Sequence, residues 1–394
     1  MKSAGPGRHT ARAGEGADVL ISDANLRQAL VATRSLGRAG RRVAVAETPD
    51  ACDPRLRVPA FHSRWASWSG MLPSIRHDQP GYVDALVQLV AELRPRVLLP
   101  CNDGSVAVLK GRRDGFEHLG CGVALASEAA LDLANDKLAT LKVAADLGIV
   151  GPRSVPVLGP GDVKAALAEV GFPSVIKPTQ SWVQYGGTAE RVTARCVLDE
   201  REAAGYVEWL EERGSTAVAQ EWVGGRREAV SLLYAGGRVR ARFAQVAHRM
   251  TPMLGGMSVV RESIPIPEDL GPAALALTEA MGLEGYSEVE FRRDTEGRPY
   301  LMEINARLSG SLEVAVRSGV DFPLLVWQWA SGEQVTQVDG YRFGVRMRYL
   351  TGDVDWLLEN ITHQDRPDAL PRRKALAEFA REFARRSAYD YVDR

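Results

Sequence analysis

The stretch LMEINARLSGS (residues 301–311) decides how the rest of the chain reads. It sets an acid, an amide and a guanidinium at alternate positions: Glu303, Asn305 and Arg307. Successive side chains of a strand point to opposite faces, so Glu303 and Asn305 share one face while Met302 and Ile304 point into a core. Just upstream, YSEVEFRRD puts Glu288 and Glu290 on one face of its own strand. The intervening DTEGRP is about the length of a hairpin loop, which predicts Glu290 opposite Glu303. Two carboxylates and an amide oxygen brought together repel unless a cation sits between them. Hard oxygen ligands of this kind suit Mg²⁺ bridged to phosphates. Arg307, one step further, would supply fixed positive charge near a transferring phosphoryl group. One acid alone reads as a solvated strand residue; the pair, beside Asn and Arg, reads as a metal site.

The chain around this stretch has 394 residues, enough for two or three domains with cores of their own. Apolar residues make up 45% and charged residues 25%, as in an ordinary globular protein. The formal charge is -1, so no overall positive field exists to hold nucleic acid. Cys52, Cys101, Cys121 and Cys196 are far apart and form no C-x-x-C pair, which argues against a disulfide framework or a zinc cage. MKSAGPGRHTARAGEGA lacks the apolar core of a signal peptide and reads as a disordered lead-in over residues 1–16. No run of about 18 apolar residues occurs, so no membrane span is expected, and the cytoplasm is the expected location.

The N-terminal part alternates strand, helix and strand. ADVLIS is an apolar run; DANLRQALVATRSLGRAG has helical spacing, with Asp23 or Asn25 as cap and Gly40 as stop; RRVAVAE is a second strand. YVDALVQLVAELRP and RVLLPCND supply a further helix and strand, so a βαβ unit with a parallel sheet is expected over residues 17–127. The first turn lacks G-x-G-x-x-G, which leaves a dinucleotide site weakly supported. CNDGS (residues 101–105) ends a strand where open α/β sheets often bind ligands, and a helix cap reads equally well there. Beyond it the pattern turns to α+β with antiparallel strands. Gly236-Gly237 makes a hairpin turn, and no internal repeat stands out. The tail ends in RRKALAEFAREFARR, whose Leu376, Phe379, Ala380 and Phe383 share a helical face expected to dock on the body.

Pieces of a nucleotide site lie upstream of the opening stretch. Lys177 closes the apolar strand SVIKP, where it either snorkels to the surface or delivers an ammonium to a phosphate. Lys137 lies on a helix beside Lys142 and is unremarkable alone. SWVQYGGTAER carries Gly186-Gly187; such a hairpin can close over phosphates with backbone N–H groups, although any exposed hairpin looks the same. AQEWVGG offers an acid, apolar residues and a turn, as a hinge gripping an adenine needs. G-x-x-x-x-G-K-[ST] is missing, which excludes a P-loop.

In this order the pieces resemble the ATP-grasp superfamily over roughly residues 18–332, and the motif that carries most is EVEF followed by E-x-N-x-R. The resemblance implies an α/β and α+β chain, an ATP-grasp fold with a Rossmann-like pre-grasp domain at its N-terminus. Residues 17–127 would form the pre-grasp domain, 128–335 the two-lobed grasp domain hinged near 220–224, and 336–394 a strand and helix packed on the body. Lys137 and Lys177 match the two lysines on the ATP phosphates. SWVQYGGTA, with Gly186 and Gly187, looks like the mobile loop over them, less glycine-rich than many. QEWV matches the hinge, Gln220 to Val223, with Glu221, Trp222 and Val223 meeting the adenine by backbone groups. Glu228 matches the ribose acid, Glu290, Glu303 and Asn305 the magnesium ligands, and Arg307 the arginine beside the reacting phosphate. The tail GVRMRYLTGD looks like the carboxylate–amine ligase branch that includes D-aspartate ligase-like enzymes.

That branch implies ATP and Mg²⁺, with Mn²⁺ as a substitute, an acyl phosphate made from a carboxylate, and an amine that attacks it to form an amide. Small amino-acid-like carboxylate and amine substrates are then the expected partners, with no nucleic acid and no membrane, and a homodimer is the expected assembly. Arg249 and Arg261 in HRMTPMLGGMSVVRES flank a Gly-Gly turn, and a guanidinium can hold a substrate carboxylate through two bonds; pairing with Glu262 or another acid is the plain alternative. His248 reads as structural. Bicarbonate activation of the carboxylase or carbamoyl-phosphate type is disfavoured, since no MKM segment and no amidotransferase cysteine motif occur. A catalytically silent ATP-binding sensor would have a damaged metal set, yet all three ligands are present.

Overall fold

The computed structural model describes residues 16–51, 57–253 and 255–392. The lead-in expected over residues 1–16 lies outside this range apart from Gly16, as does Cys52. The N-terminal sheet is built from β1 (Val19–Ile21), α1 (Arg27–Arg38), β2 (Val43–Glu47), β3 (Ala66–Met71), α2 (Gln79–Leu93), β4 (Val97–Leu99), α3 (Asp103–Leu109), α4 (Arg113–Glu117) and β5 (Gly122–Val123). Its order is β3-β2-β1-β4-β5 with every pairing parallel. β1, β2 and β4 are buried along their length, which is why they read as unbroken apolar runs rather than alternating ones. β3 escapes a sequence reading because ASWSGM is a half-buried edge strand without a run of branched residues. Gly40 stops α1 at φ +78°, as expected, but neither Asp23 nor Asn25 caps it: the N-cap is Leu26. Asp23 is instead drawn inward, accepting from Ser22 Oγ (2.7 Å), Ser105 Oγ (2.6 Å) and the Cys101 amide (2.9 Å).

α5 (Glu128–Asn135) and α6 (Lys137–Asp146) follow, separated by Asp136, whose carboxylate caps α6 through the amides of Leu138 (2.8 Å) and Ala139 (2.9 Å). That cap fixes Lys137 as the first residue of its helix. Next come β6 (Ser154–Val157), α7 (Val163–Val170), β7 (Ser174–Pro178), β8 (Trp182–Tyr185), β9 (Thr188–Arg191), β10 (Arg195–Val197), α8 (Glu200–Glu211) and β11 (Ala217–Glu221). They form an antiparallel sheet in the order β10-β7-β11-β6, beside the separate β8–β9 hairpin. Val163 and Leu167 of α7 and Val207 and Leu210 of α8 close a core over Ile176 of β7.

The third sheet comprises β12 (Arg226–Tyr234), β13 (Val239–Thr251), β14 (Met257–Ile264), β15 (Gly285–Arg293), β16 (Pro299–Asn305), β17 (Arg346–Arg348) and β18 (Ala388–Tyr389), ordered β16-β15-β12-β13-β14-β17-β18. α9 (Leu270–Ala280) lies in its crossover and packs Leu270, Ala274 and Leu277 against Val230, Leu232, Val289, Phe291 and Ile304. Burying that face leaves the alternate residues of β12, β15 and β16 for the other one. The expectation for Met302 fails locally: the register slips so that Glu290 pairs with Glu303 and Phe291 with Leu301. Met302 is the extra residue of a bulge and is half-buried, and Leu301 takes the core position in its place.

α10 (Glu313–Ser318), α11 (Phe322–Ala330), α12 (Leu350–Thr362) and α13 (Arg372–Ala384) complete the chain. α13 docks, but by only part of the face expected: Phe379 packs beside Trp356 and Val259, whereas Leu376 is 49% and Phe383 57% exposed and Ala380 is exposed, while Ala375 and Glu382 are buried. Ion pairing, not apolar burial, sets the rotation, because Glu382 accepts from Arg346 Nε (2.8 Å) and Nη2 (3.0 Å). Past α13, Asp390 meets Arg27 of α1 at 2.9 Å and both terminal nitrogens of Arg261 of β14. Arg34 adds bonds to the carbonyls of Asp390 (3.3 Å) and Tyr391 (3.0 Å). Burial pushes the Asp390 carboxyl up, but Arg261 and Arg27 outweigh it and hold it below the usual range. Among the described residues no helix is long and apolar enough to cross a membrane.

Asp390→Ala would leave the Arg261 guanidinium, which is 0% exposed, without its counter-charge. Removing one partner of such a pair costs about 3–5 kcal/mol, so urea titration should show a midpoint shift of that size at constant slope.

Candidate active site

The site grows out of three neighbouring strands. β12, β15 and β16 pair in register, Ala229 with Glu290 with Glu303, and Ser231 with Glu288 with Asn305. Glu288, Glu290, Glu303 and Asn305 therefore share the face away from α9. Asn305 reaches both acids through its amide nitrogen, at 3.4 Å from Glu290 and 3.4 Å from Glu303. Arg227 projects from β12 onto the same face and bonds Glu290. The two acids respond in opposite ways to being packed together. Burial, with Glu303 and Glu288 adding to it, drives the Glu290 carboxyl well above its ordinary value despite Arg227. Burial acts on Glu303 too, but Lys177, Lys137 and Arg227 outweigh it and keep that carboxyl below its ordinary value.

The two lysines arrive on separate elements, Lys177 on the small antiparallel sheet and Lys137 on α6, whose Ala144 shares a core with Ile304 of β16. β7 carries Lys177 next to the buried Ile176, and burial brings its ammonium down to about 8 from 10.5, with Glu303 opposing the shift. Lys137 starts α6 and reaches Ser181 Oγ at 3.4 Å, and burial lowers its ammonium as well, against the pull of Glu303 and Asp103. The β8–β9 hairpin turns at Gly186 (φ +52°) and Gly187 (φ +77°), a pair of left-handed residues that only glycine adopts without strain. It lies against the N-terminal sheet: Ala189 N–H donates to the Arg76 carbonyl (2.9 Å), and the Trp182 indole covers Gly104 so closely that a Cβ there would sit 2.8 Å from the ring.

Arg307 is held from outside its own lobe. Its Nε bonds one oxygen of Asp103, and the other oxygen of Asp103 accepts from Arg191 Nε of the hairpin at 3.1 Å. Burial alone would push the Asp103 carboxyl up; Arg307 and then Arg191 override it, and it stays at about 2. Asp103 thus ties the N-terminal sheet, the hairpin and Arg307 into one cluster. In CNDGS the helix-cap role falls to Asn102, which accepts from the Gly104 amide at 3.2 Å, and Asp103 is left for the cleft.

Other expected residues stand elsewhere. Gln220 to Val223 run from the end of β11 toward β12, as a hinge should; Gln220 donates to Ser154 Oγ (2.9 Å) and Glu221 holds Arg153, side-chain contacts that do not bear on the backbone groups expected to meet the adenine. The Val223 carbonyl accepts from Arg292 (3.1 Å), whose guanidinium covers the Trp222 ring at 4.6 Å. Glu228 does not reach the cleft. It pairs with Phe291, so it shares the α9 face, where Arg293 Nε (2.9 Å) and Arg226 neutralise it. Its neighbour Arg227 takes the cleft side instead. Arg249 is buried against Asp353 (2.8 and 2.9 Å) and covers Trp356, and Arg261 is committed to Asp390. Neither guanidinium is offered to a substrate carboxylate, and the partners are C-terminal acids rather than Glu262, which holds His248 and Arg346.

Could these donors hold a cation? Among the described residues no group of three or more His, Cys, Asp or Glu side chains could hold a metal ion by itself. The facing pair Glu290–Glu303 offers hard oxygens, and the Asn305 oxygen, which here accepts from Arg307 at 3.3 Å, would join them on turning its amide over; such a small set suits Mg²⁺ when phosphates and water complete its shell. The repulsion between the two acids, which adds to burial in raising the Glu290 carboxyl, is what a divalent cation would relieve. The set fits Mg²⁺. Asp103, Arg191, Arg227 and Trp182 are the residues that sequence reasoning missed. CNDGS gave a signal for Asp103; the others depend on which face a strand presents.

Comparisons with known proteins bear on the fold and on likeness to ligases, not on single residues of the site. Residues 244–353 match the family described as ATP-grasp in the biosynthetic pathway with Ter operon. D-alanine–D-alanine ligase B of Pseudomonas putida is 26% identical over 261 residues, covering 62% of this chain and 78% of that one. An L-amino acid ligase from Bacillus licheniformis superposes with a TM-score of 0.59 at 18% identity, over 80% of this chain and 74% of that one. Biotin carboxylase from Campylobacter jejuni superposes with a TM-score of 0.63 at 17% identity, over 84% and 74%.

With Lys177 losing its proton near pH 8, its hold on a phosphate should fade as the solution becomes more alkaline. Calorimetric titration with ADP should show affinity falling about ten-fold from about pH 7 to about pH 9.5, and Lys177→Arg should flatten that profile.

Proposed function

For a chain of the ATP-grasp fold acting as an ATP-dependent carbon–nitrogen ligase, we propose that the cleft joins a small amino-acid-type carboxylate to an amine. The observation that carries this reading is the convergence of Glu290, Glu303 and Asn305 with Lys137, Lys177 and Arg307 around one cleft. ATP is the phosphoryl donor. The substrate carboxylate oxygen attacks the γ-phosphorus, an O–P bond forms, the bond to the β-phosphate oxygen breaks, and ADP leaves. The amine nitrogen then attacks the acyl carbon; a C–N bond forms, the C–O bond to phosphate breaks, and the nitrogen gives up a proton.

Each residue has a task that its position supports. Lys137 from α6 and Lys177 from β7 hold phosphate oxygens. Glu290, Glu303 and Asn305 would hold Mg²⁺, or Mn²⁺ in its place, and that ion would supply charge neutralisation to the phosphates. Arg307, braced by Asp103, puts a positive charge where negative charge accumulates on the transferred group. The β8–β9 hairpin covers the phosphates and keeps water from the acyl phosphate. Catalysis of this kind is positioning and electrostatics, and it needs no nucleophilic side chain. Residues 17–127 act as the pre-grasp part of the chain and 128–335 as its grasp part.

The likeness to biotin carboxylase is one of fold, so bicarbonate remains an arm of the test. ADP release with Mg²⁺ should depend on a pair of substrates, one acid and one amine. Release with bicarbonate alone would favour carboxylation, and bound ATP without turnover on a broad panel would favour a sensor. Glu303→Ala should lower ADP release about 10³-fold with its circular dichroism unchanged. EDTA should stop the wild-type reaction, and Mn²⁺ should restore it.

A further inference from the structure

α12 and α13 run antiparallel. Arg372 at the start of α13 donates from Nε to the Ile361 carbonyl near the end of α12 (3.1 Å), and Arg348, just before α12, lies over Phe383 at the far end of α13. α12 buries Gly352, Asp353, Trp356 and Asn360, and α13 buries Ala375 and Glu382. Leu357 and Phe379 pack on one small core of Val259, Trp356 and Ala375, so they mark the seam between the helices. Residues three and four apart share a helix face, so Val354 flanks Leu357, and Leu376 and Phe383 flank Phe379. The surface above the seam is therefore apolar. Leu350, Val354 and Leu358 are exposed along α12, Leu358 at 53%, and Leu376, Ala380 and Phe383 are exposed along α13. The strip is held stiff from beneath, because the Arg348 guanidinium under Phe383, 4.1 Å from its ring centroid, is itself fixed to Asp353 (2.7 Å). Charge is sorted to its two flanks. On the side of α13 away from the seam, exposed Lys374, Arg381 and Arg385 recur at spacings of seven and four. On the side of α12 away from the seam stands exposed Asp355, with Glu359 one turn on, and Asp365 and Asp368 are exposed in the connection that follows. Acid, apolar strip, base is an order that complements itself.

We propose that this face joins two copies of the chain about a two-fold axis parallel to the helices, with α12 of one copy lying on α13 of the other. That axis sets the acidic flank of each copy over the basic flank of its partner, whereas an axis across the helices would set like charge on like. Asp355 then faces Arg381 of the partner subunit, and the two apolar strips cover each other. Soluble monomers rarely leave a broad apolar face open to water. An anionic membrane fits the face less well, since it would meet acid along one whole flank. Each helix has 13 residues, so it is about 20 Å long and about 10 Å wide, and the pair covers roughly 20 Å by 20 Å, at the small end of stable interfaces. The dimer is accordingly one of moderate strength. This inference goes beyond the ligase reading and does not rest on it.

Sedimentation velocity of the full-length protein, from about 1 to about 100 µM, should show a monomer–dimer equilibrium with Kd of about 10 µM. Leu358→Glu, which sets a charge in the middle of the strip, should weaken it about ten-fold or more with circular dichroism unchanged. Asp355→Lys and Arg381→Glu should each weaken it about ten-fold, because symmetry repeats each reversal at two contacts, and the double variant should return to within about three-fold of wild type. That recovery is what a merely apolar contact would not show. A monomer over the whole concentration range, a dimer indifferent to Leu358→Glu, or a folded double variant that stays as weak as the single ones would overturn the assignment. So would a monomer that floats with phosphatidylglycerol vesicles but not with phosphatidylcholine vesicles, which would give the face to a membrane. ADP release measured on the same samples bears on the ligase reading alone.

Discussion

Two glutamates held directly across a pair of antiparallel strands repel each other, and the architecture around Glu290 and Glu303 is a response to that repulsion. The sheet forces the pairing, because β15 and β16 are joined by a tight turn and their apolar alternates are pinned to α9. Charge compensation must then come from elsewhere. Arg227 contributes from the neighbouring strand, Lys177 from β7 and Lys137 from α6, and in the proposed function an ion and its phosphates would supply the remainder. Under that proposal the repulsion between the two acids would itself favour binding of nucleotide and metal.

What could be read ahead was local. The acid–turn–E-x-N-x-R pattern fixes its own geometry, since a hairpin loop leaves little choice of register. Lys137 on its helix and Lys177 at the end of an apolar strand carry no such pattern of their own, and only the resemblance singles them out. Glu228 was not. Whether it or Arg227 faces the cleft depends on the three-strand register from β12 to β16, and one residue of slip exchanges the faces. Arg249 and Arg261 were misjudged because their partners, Asp353 and Asp390, lie 104 and 129 residues further along the chain. No local pattern predicts such pairs. α13 illustrates the same limit: its apolar stripe is real, but Arg346 and Arg249 compete for Glu382 and turn that stripe partly outward.

Composition explains why the N-terminal sheet was clear except at its edge. β1, β2 and β4 are covered on both faces and must be apolar throughout, whereas β3 has a partner on one side only and can be built from Ser, Gly and Trp. The C-terminal segment has a role beyond covering surface. Asp390 reaches α1 and β14 together, so the last residues brace the N-terminal sheet against the large one.

Asp103 spends one oxygen on Arg307 and the other on Arg191. Through that one carboxylate the hairpin, the N-terminal sheet and the segment after β16 are pegged at a shared point, so a substitution at Asp103 would unfasten three parts of the chain at once.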